Sequence, residues 1–202
     1  MGMKVKYITK DDNFPNIKRQ LELVNGTGVE VGVLKGEHKW LAGIHEYGAH
    51  IKPGKAQYLT VPVTPEAVGR RAGSFSDTFV LTTDDGKKFI AQKSGDDVKL
   101  LYWLTKSVTI PERAFLRGGY DAHKDAVAKK AEMILADVAT GKTTSRGLHQ
   151  AVGLALSSKI KEYARNLDSP PNRPITVENK GSSNPLVDSG DMIGGITWRI
   201  SK

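Results

Sequence analysis

Residues 120–167 read YDAHKDAVAKKAEMILADVATGKTTSRGLHQAVGLALSSKIKEYARNL, and this stretch decides the architecture. Val127, Ala131, Ile134, Leu135 and Val138 recur at the spacing of one helical face. A helix is therefore expected over 120–139, ended by Thr140-Gly141. Thr143, Thr144 or Ser145 then offers a cap for a second helix reaching 167. Its Leu148, Val152, Leu156, Ile160, Ala164 and Leu167 again share one face. So short a link makes the two helices antiparallel neighbours. Their combined apolar faces require a sheet or another helix as cover.

The cover has to come from outside this stretch. Upstream, Asp11, Asp12 and Asn13 are cap candidates, Pro15 suits a first helical turn, and Ile17, Leu21 and Val24 follow at helical spacing with Leu23 beside them. This predicts an amphipathic helix over 13–24, stopped by Asn25-Gly26. Val29, Val31 and Val33 alternate with Glu30 and Gly32, a strand pattern, and a short helix over 40–47 ends at Gly48. Residues 58–63 predict another strand, with Pro62 marking an edge or bulge, and 65–71 a helical turn. Two short β runs, 79–82 and 88–92, flank Asp84-Asp85-Gly86 as a hairpin, and 98–104 adds one more strand. The stretch 52–109 is thus expected to be a β-rich insertion. Downstream, 168–185 is dominated by Pro, Gly, Ser and Asn and predicts a loop or mobile arm, ordered only by a partner. Residues 195–200 alternate and predict a terminal strand. The expected fold is α+β, one domain over 1–202: a mostly antiparallel sheet packed against two long helices, with the insertion and the terminal strand.

Composition narrows the function. The 202 residues include no cysteine, which excludes disulfides, thiol catalysis and Cys-type zinc or iron–sulfur sites. No apolar run approaches the roughly 20 residues of a membrane span, and MGMKVKYITK lacks the apolar stretch of a signal peptide. Lys6 stands where a myristoylation motif wants Ser or Thr. The net charge is +8, split evenly as +4 over 1–110 and +4 over 111–202. An even spread favours solubility over a phosphate-binding stripe.

Motifs that would carry chemistry fail on spacing. His45-Glu46 and His50 stand at i and i+5 rather than the i and i+4 of a helical zinc pair. Gly141-Lys142-Thr143-Thr144 resembles the end of a phosphate loop, but Ala136 replaces the required first Gly and a helix, not a strand, precedes it. Asp188-Ser189-Gly190-Asp191 lacks the Gly of a nucleophile elbow, since Val187 occupies that place, and is better read as an Asp or Ser cap. Trp40, Trp103 and Trp198 lie far apart and are expected to be core or interface anchors rather than a stacking platform. Neither an enzyme nor a cofactor is expected.

Three ordered blocks carry a resemblance. They are Ile44-His45-Glu46-Tyr47-Gly48; Ser107 to Leu116, containing Ile110-Pro111-Glu112-Arg113-Ala114-Phe115; and Asn184-Pro185-Leu186-Val187-Asp188-Ser189-Gly190, followed by Ile196-Thr197-Trp198. This order resembles the virion-morphogenesis and minor tail (tail-completion, head–tail joining) proteins of tailed phages. The likeness runs from about residue 29 to 201, with Ala114 where that family commonly has Pro and a longer insertion at 52–109. It implies a structural subunit that forms a ring at the neck or the head-proximal end of the tail. Its implied partners are further copies of itself and other neck and tail proteins, with DNA passing through the lumen and no membrane. Its implied location is the virion, and the host cytoplasm during assembly. By the same resemblance Arg113 and Phe115 anchor sheet to helices, and His45, Glu46 and Gly48 form a structural corner. Pro111, Leu186, Asp188, Gly190 and Trp198 complete the residues expected to serve structure or interface.

Two other readings stay open on the sequence. The +8 charge suits a DNA-binding or DNA-guiding protein, which would show a steep salt dependence. A hydrolase with an unrecognised site would show as a cleft with convergent polar groups.

Overall fold

A computed structural model describes residues 13–36 and 38–202 of the chain. Of the three cap candidates for the first helix, Asp11 and Asp12 lie outside the described residues. Asn13 is the cap residue, yet its side chain makes no cap bond and instead accepts from Asn16 Nδ2 at 3.2 Å. Helix α1 (Phe14–Gly26) has Pro15 in its first turn, where a missing N–H is harmless.

The chain is α+β, with antiparallel sheets packed against two long helices, α3 (Phe115–Ala139) and α4 (Ser145–Asn166). Strand β1 (Gly28–Val33) pairs with the final strand β8 (Ile196–Ser201), from Gly28 opposite Ser201 to Val33 opposite Ile196. Helix α2 (His38–Tyr47) leads into β2 (Ala49–Ile51), which pairs with β7 (Val108–Ile110). Between β2 and β7 lies a four-stranded antiparallel sheet of β3 (Leu59–Pro62), β4 (Thr78–Thr82), β5 (Lys88–Ser94) and β6 (Asp97–Thr105), in the order β3-β6-β5-β4. Two short helices, α5 (Pro174–Lys180) and α6 (Asp191–Gly194), precede β8.

The described residues form two cores. The main one joins Val33, Ala42, Phe115, Leu156, Ile160, Leu186, Met192, Ile193 and Ile196. It sits where β1, β8, α2, α6 and the facing ends of α3 and α4 meet. The smaller core gathers Ala67, Leu101 and Tyr102 under Ala72, Phe75 and Ile90. The Tyr102 hydroxyl donates to the carbonyls of Ala67 at 3.2 Å and Arg70 at 3.0 Å, tying the turns over 65–74 to one face of the four-stranded sheet.

Two expectations need correction. Helix α3 starts at Phe115, one and a half turns before the expected Tyr120. Gly118-Gly119 reads as a weak helix, but both glycines face α4. A Cβ on Gly119 would stand 3.1 Å from Ile160 Cα, and one on Gly118 2.6 Å from the Tyr163 hydroxyl. The absent side chains let α3 and α4 approach closely. The second correction concerns 168–185, which is not a structureless arm. Pro174 opens α5, and Gly181 at φ 68° closes it as a left-handed cap. The same Pro and Gly content that suggested a loop supplies the start and stop of a helix.

Helix α4 shows a second close approach. Gly153 faces β8, and a Cβ built there would overlap the indole of Trp198. The ring comes this close to the helix only because the side chain is missing. Gly153→Ala is expected to destabilise the chain by about 1–3 kcal/mol through overpacking, despite the better helix propensity of alanine. A lowered urea midpoint with a changed near-ultraviolet signal from Trp198 would register it. An unchanged midpoint would mean the indole moves aside freely.

Candidate functional site

The three sequence blocks that lie far apart in the chain meet at one corner. The first comes from the end of α2, the second from the β7–α3 connection, and the third from the segment between α5 and α6. Trp198 of the terminal strand stands apart from this corner, against Gly153.

Glu46 is the hub. Its residue is 2 % exposed. Its carboxylate accepts the backbone N–H of Leu116 at 2.8 Å and of Arg117 at 3.0 Å, two of the orphan donors that open α3. The Arg117 guanidinium then clamps the group. Nε donates to Glu46 Oε1 at 2.9 Å, and one terminal nitrogen donates to the Glu46 carbonyl at 2.8 Å and to Glu112 Oε1 at 2.7 Å. The same guanidinium stands 4.8 Å from the centre of the Tyr47 ring. Its pKa is raised by the bonds to Glu46 first and Glu112 second. A carboxylate at a helix N-terminus also meets the positive end of the macrodipole.

Gly48 makes the turn that joins α2 to β2. It sits at φ 70°, and a Cβ there would lie 2.9 Å from both Ile110 O and Glu112 N. Pro111 follows β7 directly, and the Arg113 N–H donates to His45 O at 2.7 Å. Phe115, fully buried, is the first residue of α3 and belongs to the main core.

Arg113 holds the segment after α4, which Asn172 ties to the third block by donating from Nδ2 to Asn184 O at 3.5 Å. Its Nε donates to Pro170 O at 2.8 Å, and a terminal nitrogen donates to Pro171 O at 3.1 Å and Asn172 Oδ1 at 3.3 Å. The segment expected to need an outside partner is therefore held by an arginine of the same chain. Asn184 organises the turn leading to α6. Its Oδ1 accepts from the N–H groups of Leu186 at 2.8 Å and Val187 at 3.0 Å, and its Nδ2 donates to Arg165 O at 2.7 Å. Leu186 is buried in the main core. Gly190, at φ 89°, caps α6. Neither Asp188 nor Ser189 takes the expected place of the cap residue; Ser189 Oγ donates to Asp191 Oδ2 at 2.6 Å.

A cavity of 270 Å³ lies between the first and third blocks, with His38, His45, Asn172, Lys180, Leu186 and Asp188 among its walls. Lys180 Nζ donates to the carbonyls of Asn184 at 3.3 Å and Pro185 at 3.4 Å. His45 Nδ1 is buried and finds no hydrogen-bond partner among the described residues. Burial first, then the positive charges of Arg113 and Lys180, pull the His45 pKa down to about 4, so its ring is neutral at pH 7. His50 lies on β2, with Nδ1 3.0 Å from Thr109 Oγ1, so the two histidines do not share a helix. Among the described residues no three His, Cys, Asp or Glu side chains gather as a metal site.

The depressed His45 pKa makes stability depend on pH. Between pH 6.5 and about 4 the unfolded chain binds the proton more readily than the folded one. The contribution is complete above pH 6.5 and is lost as pH falls toward 4. With solvent screening discounted, it amounts to about 1–2 kcal/mol. Urea titrations at several pH values should show a shallower decline for His45→Gln than for the wild type in this window. Parallel declines would assign the pH dependence to carboxylates alone.

Arg117 and Lys180 belong to this corner although no sequence block contains them, and the role of Asn184 within the third block is not legible in the sequence. Arg117 stands four residues after Arg113, and Asn184 opens the third block, but only their partners reveal what they do. No protein-family model, curated protein or solved structure matches the chain.

Proposed function

We propose that this chain is a non-catalytic structural subunit of a tailed-phage particle, acting at the neck or the head-proximal end of the tail by closing into a homo-oligomeric ring. The observation that carries the reading is the meeting of three separated blocks at one hydrogen-bonded corner. Glu46, Arg113 and Asn184 spend their polar atoms on backbone and neighbouring side chains. Such a corner suits a rigid building block that must present its surfaces at fixed angles.

The surface is consistent with burial by neighbours. Trp40 is 67 % exposed, Met133 72 % and Leu154 60 %. The outer strands β3 and β4 of the inserted sheet have no second strand beside them among the described residues. Large exposed aromatics and open sheet edges are what assembly interfaces bury. In this reading the neighbours are further copies and other neck and tail proteins, with DNA passing through the lumen.

Native mass spectrometry and negative-stain imaging of the full chain test the proposal. A closed oligomer of one stoichiometry, with the protein present in purified particles, is expected. A monomer at every concentration, absent from particles, would overturn it. Trp40→Glu is expected to shift the population from ring toward free subunit, while the thermal midpoint of the subunit changes little because the side chain is not part of either core.

A DNA-guiding role is the second reading, favoured by the +8 charge. It predicts retardation of duplex DNA at low salt and a steep loss of binding as salt rises. Unretarded DNA at low salt would remove it.

A further inference from the structure

Helices α2 and α5 turn faces of mixed chemistry toward one cavity. His38, Leu41 and His45 follow at steps of three and four along α2, and Thr176 and Lys180 stand four apart on α5. All five line the 270 Å³ hollow at the corner. Leu186, Asp188 and Met192 help to close it from the third block and α6. Its size falls just below the roughly 300–1,000 Å³ of ordinary small-molecule sites, so it suits a small group. One part of the wall is polar and the other apolar, as in a site that orients what it holds.

The charge around this hollow is lopsided. Arg113 is buried, and its partners are neutral oxygens: the carbonyls of Pro170 and Pro171 and Asn172 Oδ1. Lys180 Nζ likewise donates to two carbonyls, at 3.3 and 3.4 Å, which leaves one ammonium N–H for the cavity that it lines. Asp188 is the only carboxylate of the wall among the described residues, so two cations face one acid. Burial lowers the Lys180 pKa; Arg113 lowers it further, and Asp188 opposes them. The same two cations hold His45 neutral. Its Nδ1 is buried and unpaired among the described residues. Water in the cavity can meet a ring nitrogen, but it brings no negative charge. Buried cations are ordinarily met by an opposite charge.

We propose that this cavity is a carboxylate socket, in which Lys180 Nζ, the His45 ring and the Thr176 hydroxyl hold the carboxylate of a small organic acid or of an acidic side chain, while Leu41, Leu186 and Met192 pack its short aliphatic stem. A carboxylate supplies the missing negative charge and accepts from several donors at once. Its bond to the ammonium is charge-assisted, and so stronger than a bond to water. Phosphate or sulfate would set polar oxygens against the apolar wall, where nothing donates to them. Asp188 repels the guest and limits its affinity, which gives the test a signed prediction. All the walls belong to one chain, so the socket does not rest on the ring reading.

The test titrates the full chain, carrying isotope-labelled histidine, with sodium butyrate at constant neutral pH. The His45 ring signal is identified by its loss in His45→Gln. A saturating shift of that signal is expected, with a Kd on the order of 1–10 mM. Sodium chloride at equal ionic strength should leave it in place. Lys180→Gln is expected to weaken butyrate binding by about tenfold or more. Asp188→Asn is expected to tighten it by about threefold. A misfolded variant does not gain affinity, so this arm is free of the ambiguity of a loss. No saturating shift, an equal shift with chloride, or an Asp188→Asn variant that binds no tighter would each overturn the proposal. Sedimentation of the same samples separates the two sources of the carboxylate. A fall in oligomer size with butyrate assigns the socket to an acidic side chain of a neighbouring copy, and an unchanged size assigns it to a free acid.

Discussion

Glu46→Ala is expected to destabilise the folded chain by about 2–4 kcal/mol, chiefly from two buried backbone donors left without an acceptor, because the half-exposed Arg117 keeps water and Glu112 as partners. Glu46 accepts from two backbone N–H groups of α3 and from Arg117. Removing it leaves both amides unpaired at a helix end and frees a guanidinium that also bonds the Glu46 carbonyl and Glu112. Glu46→Gln retains the shape and one carbonyl acceptor, and should fall between wild type and alanine. The urea midpoint is the measurement, with the slope of the transition checked for constancy. An alanine variant within about 1 kcal/mol of wild type would mean that water replaces the carboxylate at the start of α3 without loss.

Gly48→Ala is expected to be of comparable size for a different reason. The residue sits at φ 70°, and the added methyl would meet Ile110 O and Glu112 N at 2.9 Å. Both obstacles are backbone, so no rotamer change relieves them. Strain of a left-handed non-glycine residue costs about 1–3 kcal/mol, and forced overpacking adds about 1–3 kcal/mol. A combined loss near 3 kcal/mol corresponds to a fall of roughly 6–12 °C in thermal midpoint for a chain of this size. Gly43, on the preceding helix with open space around its Cβ position, is the internal control. Gly43→Ala should be neutral or stabilising by up to about 1 kcal/mol, through helix propensity alone. If the two alanine variants behave alike, the Gly48 corner is not rigid.

Helices α1, α2 and α4 and strands β1, β4, β5, β6 and β8 were legible in the sequence to within a few residues. Val29, Val31 and Val33 alternate, and Leu148, Val152, Leu156 and Ile160 step around a helix, and both patterns are local. The start of α3 was not legible, because Gly118 and Gly119 argue against a helix unless Ile160 and Tyr163 are known to lie opposite them. The segment 168–185 misled for a related reason. Its Pro and Gly content describes a loop until Arg113 is placed against Pro170, Pro171 and Asn172. At the corner, the residue types stood out as blocks, but nothing in the spacing of Glu46 from Leu116 shows that one caps the other.

The sequence by itself determined the longer helices and strands, though not α5, β2 or β7, because the repeat of apolar residues, near four or of two, is set by each element's own geometry. It also determined the antiparallel pairing of α3 with α4, through the length of their link. Only the tertiary structure decided where α3 begins, what orders the segment after α4, and how three distant blocks become one corner. Those outcomes rest on bonds between residues such as Glu46 and Arg117, 71 positions apart. Contacts of that kind form when packing brings the partners together, and no local pattern records them.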